Sequence, residues 1–364
     1  MLHINWDCRD KNSLKLPEGK YPRKIKGVVV GKSVLIGLFC LMIPAIEVKQ
    51  LMNEAGKAGC PFLFGVDYEQ EEGFFYRMPI AQQEVLWQIG AVTNAVCPVV
   101  PPNRDFSFSR KPLTYEAYEQ KFGIIRQGLL RGDSFLANLT VRTEVTTDLS
   151  LADIFRYSRA PYRLWVPGRF VCFSPETFVR IQGGRISSYP MKGTIDASIP
   201  DAEGVILEDY KETSEHYTIV DLIRNDLSMV ATDVRVERFR YIDRLETTNG
   251  AILQVSSEIT GILPEDYPAY LGDILFRMLP AGSISGAPKE ATVKMIGEAE
   301  REKRGFYTGV FGYFDGCDLD SAVLIRFIEY REGKRYFRSG GGITVNSRCE
   351  DEYREVLQKV YLPF

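Results

Sequence analysis

Histidine is almost missing from this chain, which has only His3 and His216 among 364 residues. That scarcity leaves little room for a histidine-rich metal centre or a serine–histidine triad. The seven cysteines, Cys8, Cys40, Cys60, Cys97, Cys172, Cys317 and Cys349, are odd in number, widely scattered and without one C-x-x-C pair. Such spacing argues against structural zinc and favours a reducing compartment, so a cytoplasmic location is expected. The main body has no dense basic cluster and the net charge is −3. Nucleic acid is therefore not expected as a principal partner, whereas a small anionic ligand would need only a few local cations. Fixed-period repeats and low-complexity tracts are absent as well. What remains is ordinary globular composition, 45% hydrophobic and 26% charged, with length for one large or two modest domains.

The N-terminus departs from this pattern. Lys20 to Lys26 is basic, and Val28 to Ile46 is nearly continuously apolar, broken by Lys32. The stretch is like a signal-anchor, but a charge within a span costs on the order of 3 kcal/mol, and no small-residue cleavage site follows. The alternative is translation from an upstream start, with Met42 or Met52 as the working initiator. Residues 1–47 are accordingly set apart as an extension. Within them, Gly27-Val-Val-Val-Gly31-Lys32-Ser33 imitates a phosphate-binding loop but has three residues between its glycines, where the motif needs four.

Further on, residues 48–59 are patterned as a short helix, and Pro61–Val66 and Phe74–Tyr76 as strands. The proline-rich stretch 98–112 marks a seam, dividing a short N-terminal subdomain (48–110) from a main domain (111–364). Tyr118, Phe122 and Ile125 give a helix over Tyr115–Leu130 its apolar face. Phe135–Val141 and Leu164–Phe173 are expected as strands, followed by a hairpin around Gly183-Gly184. Val220, Ile223 and Leu227 predict a long helix over Glu208–Met229. Helices are also expected after Pro288 and over Asp351–Val360, and strands over Phe306–Asp315 and Asp320–Tyr330. Ser339-Gly-Gly-Gly-Ile343 is turn-rich. Strands and helices intersperse without βαβ alternation, which predicts an α+β fold.

Several residues suggest chemistry. Lys192, in Pro190-Met-Lys-Gly-Thr194, offers an amine beside a glycine, and the hairpin before it would bring Glu176 of Ser174-Pro-Glu176 to the same edge. Glu212/Glu215 and Glu352/Glu355 each place two carboxylates one turn apart on a helix; facing one another, they could hold a hard divalent cation. The bland alternative is a solvated acidic face, with Glu355 pairing Lys359 for about 0.3–0.5 kcal/mol. Pro280-Ala-Gly-Ser-Ile-Ser-Gly-Ala-Pro-Lys289 sets small residues and hydroxyls before a helix N-terminus, which favours anions. Arg326, inside the apolar run Ala322–Ile328, would be expensive to bury unless it meets a carboxylate.

Taken in order, Ser174-Pro-Glu176, Pro190-Met-Lys-Gly-Thr194, Lys211 to His216 with Val220 to Asp226, Pro280 to Lys289, Arg304-Gly-Phe-Tyr-Thr-Gly309, Ile325-Arg326, and Gly340-Gly-Gly-Ile343 leading to Glu352, Glu355 and Lys359 resemble the chorismate-utilising enzymes. The likeness covers residues 110–364, more weakly from Val48. It implies two facing β-sheets wrapped by helices, with the site between them. It implies that Glu215 and Glu355 contact Mg2+, that Glu212 and Glu352 support it through water, and that the metal binds the ring carboxylate of chorismate. Tyr307, Arg326, the Gly340, Gly341 and Gly342 backbone and Lys359 would bind substrate, with Thr194 near the ring. Glu176 matches the general acid for the departing hydroxyl, and Lys192 the nucleophile at ring carbon 2.

The branch this resemblance implies is component I of aminodeoxychorismate synthase, which aminates carbon 4 of chorismate for the folate pathway. Anthranilate synthases typically carry alanine where Lys192 stands, and isochorismate synthases use a lysine base where this chain has Leu136. No amidotransferase cysteine–histidine–glutamate set is visible, so a separate glutaminase subunit is implied. The N-terminal subdomain is shorter than in many relatives, the tryptophan-binding signature is not apparent, and Gln254 stands where many carry histidine. Anthranilate synthase component I is the rival enzyme reading. A noncatalytic membrane-associated binding protein is the rival of another class, motivated by Val28–Ile46.

Overall fold

Alternating apolar and polar residues along Leu136–Thr147 and Gly250–Ile262 fit long strands with one face buried, and both are central to antiparallel sheets. The computed structural model describes residues 42–95, 106–247 and 250–364. Among these, one sheet has ten strands and the other nine. The first runs Ile43–Pro44, Glu72–Arg77, Phe62–Val66, Val310–Phe314, Leu319–Val323, Thr177–Gln182, Arg185–Ser188, Gly250–Ile262 and Met191–Asp196, with Thr232–Thr247 also on Gly250–Ile262. The second runs Gly286–Ala287, Leu136–Thr147, Lys334–Ile343, Phe327–Arg331, Phe170–Ser174, Tyr162–Val166, Leu86–Ile89 and Val92–Thr93, with Phe108–Lys111 on Leu136–Thr147.

The sheets share a core. Leu63, Phe74, Phe311 and Ala322 from the first pack with Trp87, Leu164, Phe170 and Phe327 from the second. Helices cover the remaining faces: Ala45–Lys57, Tyr210–Ser228 and Leu271–Met278 join the core of the first sheet, and Tyr115–Arg131, Lys289–Glu300 and Cys349–Gln358 that of the second. The Tyr210–Ser228 helix starts where the Asp209 side chain accepts the Glu212 amide at 2.8 Å, a cap of about 1 kcal/mol. Ile219, Val220, Ile223 and Leu227 then bury one stripe, each side chain contributing roughly 1.5–3 kcal/mol.

Several sequence expectations need correction. Leu164–Phe173 is not one strand: a turn at Pro167-Gly168 separates Tyr162–Val166 from Phe170–Ser174, which pair with each other. Asp320–Tyr330 also divides, because Leu319–Val323 belongs to one sheet and Phe327–Arg331 to the other. Arg326 makes the crossing at φ 53°. The glycine run is strand rather than turn, pairing Gly340, Gly341 and Gly342 with Thr140, Leu139 and Asn138. Glycine content suggested a turn; in the strand, a Cβ at Gly340 would come within 2.6 Å of the Leu139 carbonyl oxygen.

The seam near residue 110 does not separate two cores, since Phe62–Val66 hydrogen-bonds along Val310–Phe314, and the described residues all fall in one compact unit. The boundary at residue 47 falls within the Ala45–Lys57 helix, where Met52 is fully buried. Residues 28–41 of the apolar stretch, and the imitation phosphate loop, lie outside the described residues. No helix among the described residues is long and apolar enough to cross a membrane. Cys172, Cys317 and Cys349 are free, whereas Cys60 is disulfide-bonded, which the spacing did not anticipate.

Candidate active site

Lys192 owes its position to a register fault. Met191 pairs with Ser256 and Thr194 with Gln254, so Lys192 and Gly193 together oppose a single residue of the neighbouring strand. This is a β-bulge, with Gly193 at φ 80°, and such bulges re-aim side chains. Lys192 enters a cavity of about 500 Å³ whose walls also include Glu176, Thr194, Glu212, Glu215, Tyr307, Arg326, Gly340, Gly341, Gly342, Glu355 and Lys359. Glu352 stands just behind: a methyl group on Gly341 would lie 3.5 Å from its carboxylate and 3.6 Å from that of Glu355. Thus residues spread over 184 positions of sequence converge on one place. The hairpin expected before Lys192 is present, with Gln182 opposite Arg185, and Glu176 directly precedes it.

Electrostatics assign different states to the two candidate catalytic groups. Burial raises the Glu176 carboxyl above its usual range, against the Ser283 hydroxyl that donates to it and the nearby cations Lys192, Arg326 and Lys359. That is the direction a general acid needs. Burial works against the Lys192 ammonium, but Glu215, bonded to it at 2.8 Å, with Glu212 and Glu355 nearby, outweighs burial and raises its pKa. Lys192 therefore stands as an ammonium, and it must lose a proton before acting as a nucleophile.

The two glutamate pairs come from the Tyr210–Ser228 and Cys349–Gln358 helices; Glu215, Glu352 and Glu355 lie against the glycine strand, and Glu212 beside Gly193. Their donor set is all oxygen, which suits magnesium in chemistry. No group of three acids among the described residues is gathered closely enough to hold an ion as it stands. Glu215 is bonded to Lys192, and Glu355 to Lys359 at 2.6 Å. Lys359 also donates to the Gly340 carbonyl at 2.9 Å, so its ammonium braces the Glu355 wall.

Arg326 is half-buried and has no carboxylate partner among the described residues; its one side-chain hydrogen bond goes to the Tyr361 hydroxyl. Burial pushes the Tyr307 phenol up to about 12, against the pull of Arg304, Arg326 and Arg338, so it stays a neutral donor. The N-terminus of the Lys289–Glu300 helix does not face this cavity. Ala287, Pro288 and Lys289 line a different hollow, and the Lys289 ammonium is bonded to Asp226 at 2.7 Å. The residues of that motif that reach the site are Ser283 and Ile284.

Sequence reasoning missed Tyr361, a lone aromatic after a helix with no motif around it. It quoted Arg304 without a role. The Arg304 guanidinium is 1% exposed and binds Glu300, the Ile284 carbonyl and the Asn138 carbonyl, tying together two segments that line the cavity. Gln254 also lines the cavity, opposite Thr194. Leu136 is buried beside Gly342, where an added Cβ would meet it at 3.1 Å.

Residues 64–363 match the family of chorismate binding enzymes. An uncharacterized PabA-like protein of Haemophilus influenzae is 51% identical over 312 residues, which are 85% of this chain and 94% of that protein. Aminodeoxychorismate synthase component 1 of Bacillus subtilis is 30% identical, covering 78% of this chain and 62% of its own length. Anthranilate synthase component 1 of Aquifex aeolicus is 34% identical, covering 72% of this chain and 55% of its own. The solved structure of anthranilate synthase component I from Streptococcus pneumoniae superimposes with a TM-score of 0.60 at 27% identity, covering 72% of this chain and 59% of that one. This chain thus belongs to the chorismate-binding enzymes, of the type represented by component I of the anthranilate and aminodeoxychorismate synthases.

Proposed function

We propose that this protein is an aminodeoxychorismate synthase component I, converting chorismate to 4-amino-4-deoxychorismate with ammonia from a separate glutaminase subunit. The observation that carries this reading is Lys192, bulged into the cavity that Glu176 also lines. In the proposed reaction, the neutral Lys192 amine bonds to ring carbon 2 as both ring double bonds shift one position toward carbon 4. The carbon 4 hydroxyl departs as water with the Glu176 proton. Ammonia then bonds to carbon 4, both double bonds return, and the bond from carbon 2 to Lys192 breaks. Arg326 and Tyr307 would orient the enolpyruvyl carboxylate. Glu215 and Glu355, with Glu212 and Glu352 behind, would hold magnesium, which supplies positive charge opposite the ring carboxylate. Leu136 leaves no base at the position where a lysine would activate water.

Incubation with chorismate, magnesium and an ammonium salt, followed by chromatography and mass spectrometry, tests the assignment. The expected product is 4-amino-4-deoxychorismate, and Lys192→Ala is expected to lose it and drift toward anthranilate. Anthranilate as the sole wild-type product would overturn the reading. A second reading, anthranilate synthase component I, is favoured by the ion pair that keeps Lys192 protonated and by the 34% identity to the Aquifex enzyme. In that reaction ammonia attacks carbon 2 directly and needs no lysine amine, so Lys192→Ala would leave turnover intact.

A further inference from the structure

Among the described residues, the Arg326 guanidinium of this cavity is ion-paired to no acid, and beside it stands the Tyr361 phenol. Arg326 Nε donates to Tyr361 Oη at 3.4 Å, and the guanidinium carbon lies 5.7 Å from the Tyr361 ring centre. Because the phenol oxygen accepts from Arg326, its own O–H is directed elsewhere, and no acceptor among the described residues takes it. We propose that Tyr361 contacts substrate, its hydroxyl donating to the same ligand carboxylate that Arg326 binds. This rests on the reading of the cavity as a chorismate site.

Tyr361 is held in place by its neighbours. It follows the helix that carries Glu352 and Glu355, beyond buried Val360. The chain end is fastened by the Arg159 amide, which donates to the Pro363 carbonyl at 3.0 Å, and by Phe364, packed on Phe106 and Tyr157. Although 45% exposed, the ring therefore has limited freedom. It lines both the site cavity and an outer hollow formed with Phe106, Phe108 and Leu362, so it is a wall between them. A phenol in such a wall can supply a neutral donor next to a fixed positive charge. Together these recognise a carboxylate by two distinct bonds, and only the second depends on the hydroxyl.

Tyr361→Phe keeps the ring and removes the donor. A hydrogen bond to a charged group is worth about 1.5–3 kcal/mol, so KM for chorismate should rise roughly ten- to a hundredfold, with kcat within about threefold of wild type. The melting temperature should not move. In an Arg326→Gln background the same substitution should cost far less, because the carboxylate is no longer held against the hydroxyl. Wild-type KM in Tyr361→Phe, or equal penalties in both backgrounds, would overturn the inference while leaving the functional reading intact. Absence of chorismate turnover and of calorimetrically measured chorismate binding by the wild-type protein would instead overturn the functional reading, and the inference with it.

Discussion

Gly340, Gly341 and Gly342 differ in what a single added methyl group would meet, and this makes them a graded test of the site. At Gly340 a Cβ would lie 2.6 Å from the Leu139 carbonyl oxygen and 2.7 Å from the Thr140 methyl. That carbonyl belongs to a strand paired on Lys334–Ile343 and has little freedom to retreat. Gly340→Ala should therefore overpack the fold by about 1–3 kcal/mol and lower the melting temperature by several degrees. At Gly341 the nearest atoms are the Glu352 and Glu355 carboxylate oxygens at 3.5 and 3.6 Å, ordinary contact distances. Gly341→Ala should leave stability unchanged or raise it by a few tenths of a kcal/mol through reduced unfolded-state entropy. It nevertheless places a methyl group among the acids proposed to hold magnesium, so the magnesium concentration giving half-maximal turnover should rise at least tenfold. Gly342→Ala falls between, since its Cβ would meet Leu136 at 3.1 Å and the movable Lys192 ammonium at 3.3 Å. Calorimetric melting of the three variants, paired with magnesium titrations of chorismate turnover, separates the two effects. If Gly341→Ala melted as early as Gly340→Ala, or kept wild-type magnesium dependence, the role given to this strand would be refuted.

Glu176→Gln should lower kcat by about 10²–10⁴, and the wild-type alkaline limb set by the raised Glu176 carboxyl should vanish from its pH–rate profile; an unchanged limb would remove Glu176 as the acid. Arg326→Gly should relieve the strain of an arginine at φ 53°, gaining about 1 kcal/mol of stability in a denaturation series while raising KM for chorismate at least about tenfold; wild-type KM would remove Arg326 from the site. At Asp67, burial is the main cause that raises the carboxyl from 3.8 to about 6, against the Glu71 and Glu72 amides that bond to it. The native state therefore holds this proton more tightly than the unfolded chain, so the contribution of this group to stability is greatest below pH 3.8 and is lost as pH rises through about 6. Asp67→Asn should stabilise by on the order of 2 kcal/mol at pH 7 and negligibly at pH 3.5, as measured by denaturant titration at both values; an equal effect at both would exclude the carboxyl's charge as the cause.

The legible parts of this protein were those set by local pattern. The Tyr210–Ser228 helix announced itself through Val220, Ile223 and Leu227, and the Thr177–Ser188 hairpin through its paired glycines. Strand breaks were harder to read, because an apolar run records burial but not which sheet does the burying. Val323 and Phe327 are both buried, four residues apart, yet they belong to different sheets, and only a left-handed Arg326 between them makes the switch. The glycine run misled for the opposite reason. Composition signalled a turn, whereas the neighbours of those positions are Leu139 and Lys192, remote in sequence, and Glu352 and Glu355 of the following helix.

The same distinction runs through the site. Motif order named Glu176, Lys192 and the four glutamates as one set, and their side chains lie in or just behind one cavity, but the order carried no information about which of them bond to one another. Glu215 is bonded to Lys192, so the proposed metal ligand and the proposed nucleophile compete for one carboxylate. A lysine held by an acid is protonated and unreactive; the same lysine, once the acid's charge is engaged elsewhere, loses the largest influence raising its pKa. Glu215→Gln imposes that loss permanently. Its effect on Lys192 has a fixed sign: the ammonium becomes easier to deprotonate, because burial then acts with less opposition. The rate of Lys192 modification by an amine-selective reagent, followed by peptide mass spectrometry across pH, should rise at lower pH in Glu215→Gln than in wild type. A profile shifted the other way would mean that Glu215 does not govern the charge on Lys192, and the bulged lysine would then need another source of control.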